Sequence, residues 1–356
     1  MTSPTPAAIK KPMPLSDIDG QPRAMESLRA ALRHRAVHHA WLFAGPEGVG
    51  KELAGIAFAH ALLCPIEPGE GCGRCEVCGR IARRNHPDVR WVMPEAELVA
   101  RGLAARSDFA EAPSRWIKVD QIRALEERLS RHPLEAERHV ALIAHADAMN
   151  EPAQNAFLKT LEEPPPGTVL ILVASNPDVL LPTIRSRCTR VQFVPLPDAL
   201  VARKVAEASK IDEPAAQLVA AMAGGSLARA MALDSEMLAR RRQIVERFEA
   251  LDPDDARTHL AFAEEFGGSR DAVEETLHVL DVWTRDVAVA RTGAESIANR
   301  DLAELAHAGA AKVTDSQLQR RHRLIAEALE EMTERNASPR LQLEKVLLAE
   351  AVGARA

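Results

Sequence analysis

The chain has 356 residues, a formal net charge of −6, 46% hydrophobic residues, few aromatics and no tyrosine. That length suffices for two or three domains with their own cores, and an apolar set dominated by Ala, Leu and Val favours a largely helical protein. The acidic balance excludes a protein that coats nucleic acid by bulk electrostatics, although a local basic surface stays open.

The sequence holds no apolar run of about 18 residues, and the Pro-, Thr- and Lys-containing start, Met1 to Leu15, is unlike a signal peptide. Residues 1–18 are expected to form a disordered tail. The expected setting is the cytoplasm, with no membrane partner and reduced cysteines. Gly20-Gln21-Pro22 opens a helix predicted to run to about Arg35, with Ala24, Leu28, Ala31 and Leu32 on one face. Strands are expected at Trp41–Ala44, His86–Val92, Val140–Ala144, Val169–Ala174 and Val191–Val194, with helices between them. Residues 95–115 have weak periodicity and read as a loop or short helix. Asn150 caps a helix beginning Glu151-Pro152, which Pro164-Pro165-Pro166-Gly167 ends. Strands alternating with helices imply a parallel sheet covered on both faces. Beyond Pro197 all is helix, with breaks that place one small helical domain at 198–247 and a larger one at 250–356.

Between the first strand and its helix lies Gly45-Pro46-Glu47-Gly48-Val49-Gly50-Lys51-Glu52. Loop amides and a helix N-terminus converge on one anion at such a turn, and G-x-x-x-x-G-K is the phosphate-binding pattern. Gly45, Gly48, Gly50 and Lys51 are its candidate nucleotide-binding residues. The Ser or Thr hydroxyl that ligates magnesium is replaced by Glu52, whose carboxylate is expected near the phosphates, opposing them by like-charge repulsion. An acidic pair that holds magnesium and orients water belongs at the end of the strand 140–143. Ala144-His145 stands there instead. His145 is a candidate base or a hydrogen-bonded turn position, and Asp147 reads as the start of the next turn.

Cys64, Cys72, Cys75 and Cys78 form C-x7-C-x2-C-x2-C with Gly71, Gly73 and Gly79 among them. Two C-x2-C steps present successive sulfurs to one ion, and four thiolates leave no open position, so a structural zinc site is expected over 64–79. Free thiols or a redox pair are the competing reading.

His39-Ala40-Trp41-Leu42-Phe43, the cysteine insert, Asn155 to Pro165 (NAFLKTLEEPP) and Leu181 to Cys188 (LPTIRSRC) resemble the clamp-loader subunits of bacterial DNA polymerase III, within the AAA+ ATPases. Ser338-Pro339-Arg340-Leu341-Gln342-Leu343-Glu344 looks like the closing helix of that family's collar. The resemblance covers about residues 19–350. It implies an AAA+ P-loop domain over 19–197 carrying the zinc insert, a helical lid and a helical collar through which subunits associate, with Leu341, Val346 and Leu347 as contact rows. The motor subunits, tau and gamma, keep the hydroxyl and the Asp-Glu box that this chain lacks, which points to the delta-prime branch.

For that branch the resemblance implies a hetero-pentamer with tau/gamma and delta that loads the sliding clamp on primed DNA. It makes Arg187 an arginine finger acting in trans at a neighbour's ATP site, with local pairing to a carboxylate as the alternative role. Arg185 could share that role. Ser175-Asn176 occupies the place of a γ-phosphate sensor or a plain turn, and Arg229 that of a displaced second sensor. The leading expectation is a non-hydrolysing subunit. An active ATPase of the same family using Lys51 and His145 is the second, and a small-molecule P-loop kinase the third. DNA contact is expected only through the assembled ring, since no stripe of basic and aromatic residues marks a surface for it.

Overall fold

The structure is a computed structural model that describes residues 12–34, 36–233, 235–294, 297–334 and 337–353. The chain divides into two compact units, one built from residues up to 201 together with 224–229, the other from 202–223 and 230 onward.

The first unit holds a five-stranded sheet: β1 Ala40–Ala44, β2 Val89–Val92, β3 His139–Ile143, β4 Thr168–Ala174 and β5 Thr189–Gln192. Its order is β2-β3-β4-β1-β5. Every pairing is parallel, with Ala40 opposite Leu170, Trp41 opposite Thr189, and Val89 opposite Val140. The strands β1, β3 and β4 are buried at every position, as their unbroken apolar sequences require when both sheet faces are covered. Helices α1 Pro22–Arg33, α2 Lys51–Leu63, α3 Glu76–Ala82, α4 Glu95–Ala100, α5 Val119–Leu129, α6 Glu151–Glu162 and α7 Pro182–Arg185 connect them. On one face Ile122, Leu125, Phe157 and Leu161 of α5 and α6 pack on Leu42, Ile143 and Leu172. On the other, Phe58 of α2 meets Trp41 and Phe43 at ring-centroid distances of 5.3 and 6.4 Å. Asn150 caps α6 as expected, its side chain accepting from Ala153 N at 3.0 Å.

Two local expectations need correction. The expected tail over 1–18 lies outside the described residues as far as position 11, but Leu15 is fully buried and its N–H donates to Glu70 O at 3.0 Å. One apolar side chain anchors that segment despite its polar composition. The last strand starts at Thr189 and ends at Gln192, two residues before the expected span at each end. Residues 95–115, expected as a loop or short helix, form the short α4 and a single 3-10 turn, Arg106–Asp108.

Among the described residues the second unit contains only helices. Helix α8 Asp198–Ser209 leads into it, followed by α9 Glu213–Ala223, α10 Leu227–Ala232, α11 Ser235–Glu249, α12 Ala256–Phe266, α13 Arg270–Arg291, α14 Ala303–Ala310, α15 Asp315–Glu334 and α16 Pro339–Gly353. Ile244, Val245 and Phe248 of α11 share one core with Phe262, Leu277, Trp283 and Leu343. The boundary expected near 247–250 therefore crosses a packed core, because the Asp252-Pro253 turn reverses the chain without separating the helices. Val346 and Leu347 are buried in that same core, whereas Leu341 is 61% exposed. Two of the three expected collar residues thus face inward.

Candidate functional site

The loop after β1 keeps the backbone that a phosphate cradle demands. Gly48 and Gly50 have φ of +75° and +98°, which L side chains rarely adopt, and a Cβ on Gly48 would lie 2.1 Å from Ser226 Oγ. The loop is nevertheless filled by its own lysine. Lys51 Nζ donates to Gly45 O at 2.7 Å, to Pro46 O at 2.5 Å and to Ser175 Oγ at 3.1 Å. Burial lowers the Lys51 pKa to about 8, with Asp147 and Glu47 acting the other way. The segment 224–229 closes over the loop, with Ala228 N donating to Gly48 O at 3.4 Å.

The Glu52 carboxylate, expected to oppose phosphates by like charge, is instead neutralised by two arginines. Arg84 and Arg101 draw its carboxylate aside, each with a closest contact of 2.7 Å. Arg101 also pairs with Glu97 at 2.9 Å and lies 3.3 Å from His145 Nε2. His145, at φ +55°, is a turn residue against a guanidinium rather than a group facing the loop. Ala144 is buried and offers no ligand. Asp147 fixes the end of β4, its Oδ2 accepting from Ser175 N and Asn176 N at 2.8 and 2.7 Å. The γ-phosphate-sensor position is thus an acceptor for Lys51 and part of a turn. Arg229 is exposed, and its backbone N–H donates to Ser226 Oγ at 3.2 Å.

Arg187 lies elsewhere on the same unit. It follows α7 and precedes β5, its Nη2 sitting 2.8 Å from Glu162 Oε1 while its Nη1 donates to Thr183 O at 3.0 Å. A groove of about 530 Å3 adjoins it, lined by His38, His39, Glu162, Ser186 and Cys188 among others. Burial pushes the Cys188 thiol up to about 12. Arg185 is engaged with Asp178.

The four insert cysteines converge, all four sulfurs lying within 4.8 Å of one another. Tetrahedral thiolates around one zinc ion stand about 3.8 Å apart, from Zn–S bonds of about 2.3 Å, and Cys64 Sγ is 3.9 Å from Cys75 Sγ. Backbone N–H groups of Glu67 and Cys72 point at Cys64 Sγ at 3.3 and 3.4 Å, and that of Cys75 at Cys72 Sγ at 3.3 Å. Donors aimed at sulfur favour thiolates, so the residues present fit a metal ion. Burial by itself pushes the Cys78 thiol upward, a cost that a bound cation offsets.

One further cluster escaped the sequence reading. Arg80, Arg84, Arg90 and Trp91 line a second groove, of about 400 Å3, at the outer edge of β2. The sequence signal for it is the stretch Arg83-Arg84-Asn85-His86-Pro87-Asp88-Val89-Arg90-Trp91.

A family model described as DNA polymerase III, delta subunit, matches residues 20–197. The chain is 34% identical over 233 residues to DNA polymerase III subunit delta' of Bacillus subtilis, covering 65% of each chain. It is 38% identical over 226 residues to subunit delta' of Pseudomonas aeruginosa, covering 62% of this chain and 64% of that one. The matches thus span slightly less than two thirds of these relatives' own length. Among solved structures, a DNA polymerase III gamma subunit-related protein of Thermotoga maritima aligns with a TM-score of 0.43 at 17% identity, over 92% of this chain and 99% of that one.

Proposed function

The chain belongs to the DNA polymerase III delta-prime family, and from that premise we propose that it is a non-hydrolysing member of a clamp-loader ring that lends Arg187 to a neighbour. One geometrical relation carries this reading. The phosphate loop follows the C-terminal end of β1, whereas Arg187 precedes the N-terminal end of β5, and the two strands are parallel neighbours. They therefore stand at opposite ends of the sheet, about 15 Å apart along a five-residue strand. Arg187 cannot serve its own chain's loop, so any phosphate it meets belongs to another molecule.

The lapse of hydrolysis follows from the loop itself. A productive site uses its lysine on the β- and γ-phosphates and a hydroxyl and a carboxylate on magnesium. Here Lys51 is bonded to loop carbonyls, Glu52 to two arginines, and Ala144 replaces the acid. The hydrolysing alternative would require breaking all of these contacts and a base that His145, against Arg101, does not provide. The partners proposed are tau/gamma and delta subunits in a hetero-pentamer, with the sliding clamp and primed DNA engaged by the assembly. The insert, Cys64, Cys72, Cys75 and Cys78, would hold a structural zinc ion, which ties a short loop into one rigid unit.

The test is ATP turnover in a reconstituted loader. Arg187→Ala should lower it by roughly 10³-fold or more, because a finger stabilises charge on the transferring phosphoryl group, while the isolated chain should show none. A loader as fast with Arg187→Ala as without it would remove the trans role.

A further inference from the structure

Strand β2 is an outer strand of the sheet and pairs only with β3. The groove along it is lined by Arg80, Arg84, Asn85, His86, Arg90 and Trp91, together with Pro87 and Val89, and no acidic residue is among its walls. The one acid in this stretch, Asp88, is fully buried and accepts from the N–H groups of Leu134, Glu135 and Ala136 at 2.7–2.8 Å. Those donors hold its side chain inside the fold, and the groove's walls carry Arg80, Arg84 and Arg90 in a chain of net charge −6.

Arg80 and Arg84 have carboxylate partners, Glu135 at 2.6 Å and Glu52 at 2.7 Å. Arg90 has no ion-pair partner among the described residues, and both a like charge, Arg128, and an opposite one, Asp88, act on it. The Nε of Arg90 and the indole Nε1 of Trp91 are both buried without a hydrogen-bond acceptor. Buried donors are nearly always paired in folded proteins, and these two, on successive strand residues that face opposite sides of the sheet, leave one donor in want of an acceptor on each side of β2. The Trp91 ring is half-buried, and the Arg84 guanidinium lies 4.7 Å from its centroid.

We propose that single-stranded nucleic acid binds along this free edge, a phosphate meeting Arg90 on one side of β2 and a base stacking beside the Arg84–Trp91 pair on the other. A planar guanidinium matches phosphate oxygens bidentately. Aromatic faces interleaved with cations are the usual platform for unpaired bases, whereas an acidic peptide has no use for the indole face. The volume falls within the range of about 300–1,000 Å3 typical of ligand sites. This goes beyond the ring reading, since it gives the chain a nucleic-acid contact of its own, remote from Arg187.

Fluorescence anisotropy of a labelled oligodeoxythymidylate with the full chain tests it. Binding should weaken with salt, with a log–log slope of about −1 to −2 for two or so phosphates. Arg90→Gln should reduce affinity about tenfold and flatten that slope by about 0.7. Trp91→Leu should reduce affinity without changing the slope. Arg340→Glu, far in sequence and paired with Glu344, should leave binding unchanged. Equal loss from Arg90→Gln and Arg340→Glu would mean bulk charge and overturn the proposal. Unchanged affinity in both Arg90→Gln and Trp91→Leu would do the same, as would an oligo-aspartate peptide that binds more tightly than the oligonucleotide.

Discussion

Arg187 and Glu162 form an ion pair of 2.8 Å across the groove beside β5, and the guanidinium also reaches Thr183 O. The residue proposed to act on a neighbour is therefore folded back on its own subunit in the free chain. Both side chains are partly exposed, at 36% and 52%, and such pairs are worth only about 0–1 kcal/mol. A weak clasp of this kind is released when a polyphosphate competes for the guanidinium.

Glu162→Gln should thus raise the ATPase of an assembled loader modestly, by up to about fivefold. In the Arg187→Ala background the same substitution should have no effect, because there is nothing left to release. Steady-state turnover of the four combinations gives the coupling directly. A Glu162→Gln effect that survives without Arg187 would show that the carboxylate acts through another group.

Restoring the missing hydroxyl should not restore an enzyme. Glu52→Thr leaves Arg84 and Arg101, only 14% and 9% exposed, without their shared carboxylate. Removing one partner from a buried pair costs about 3–5 kcal/mol, and the partial exposure here brings the expectation to about 2–4 kcal/mol. Urea unfolding should show that loss with no gain of ATP turnover, since Ala144 still offers no magnesium ligand. Unchanged stability would mean that the arginines find other partners.

Lys51 gives a test with a pH sign. Lys51→Met strips the loop of the donor shared by Gly45 O and Pro46 O, yet should leave the loader's ATPase untouched. Its folded pKa, about 8, lies below the unfolded value of 10.5. Between those values the unfolded chain binds more protons, so stability rises with pH in that window and is flat below it. Wild type should therefore gain on Lys51→Met as pH goes from 8 to about 10 in chemical denaturation. A difference that stays level or shrinks would place the ammonium in solvent, and a loss of loader activity would reopen the nucleotide reading of this loop.

Strand and helix positions were legible because their signals are local. Unbroken apolar runs gave β1, β3 and β4, and Asn150-Glu151-Pro152 marked the start of α6. The cysteine spacing foretold the convergence of four sulfurs for the same reason. The fate of Glu52 was not legible, since its partners lie 32 and 49 residues away and such pairing leaves no periodic trace. Residues 12–18 deceived through composition, where a single buried Leu15 outweighed prolines. The edge groove is not legible because it depends on which way side chains turn: Asp88 sits among the arginines in sequence but turns inward to three backbone N–H groups in the fold.

The metal site and the edge groove are mechanically linked through α3. Cys75 caps this helix, accepting from Cys78 N at 3.4 Å, and Arg80 and Arg84 lie on and just beyond it. An ion held by Cys64, Cys72, Cys75 and Cys78 would fix the start of α3 and hence the place of both arginines. Stripping the metal with a strong chelator, or Cys72→Ser, should release about one zinc ion per chain. Hydrogen exchange should then rise over residues 64–84 while β1, β3 and β4, whose cores do not touch the insert's sulfurs, stay protected. Oligonucleotide affinity should fall with it, because Arg84 would leave both Trp91 and Glu52. A protein that is metal-free, folded and unaltered in exchange over 64–84 would refute the zinc assignment, and a metal-free protein with full oligonucleotide affinity would break the link to the groove.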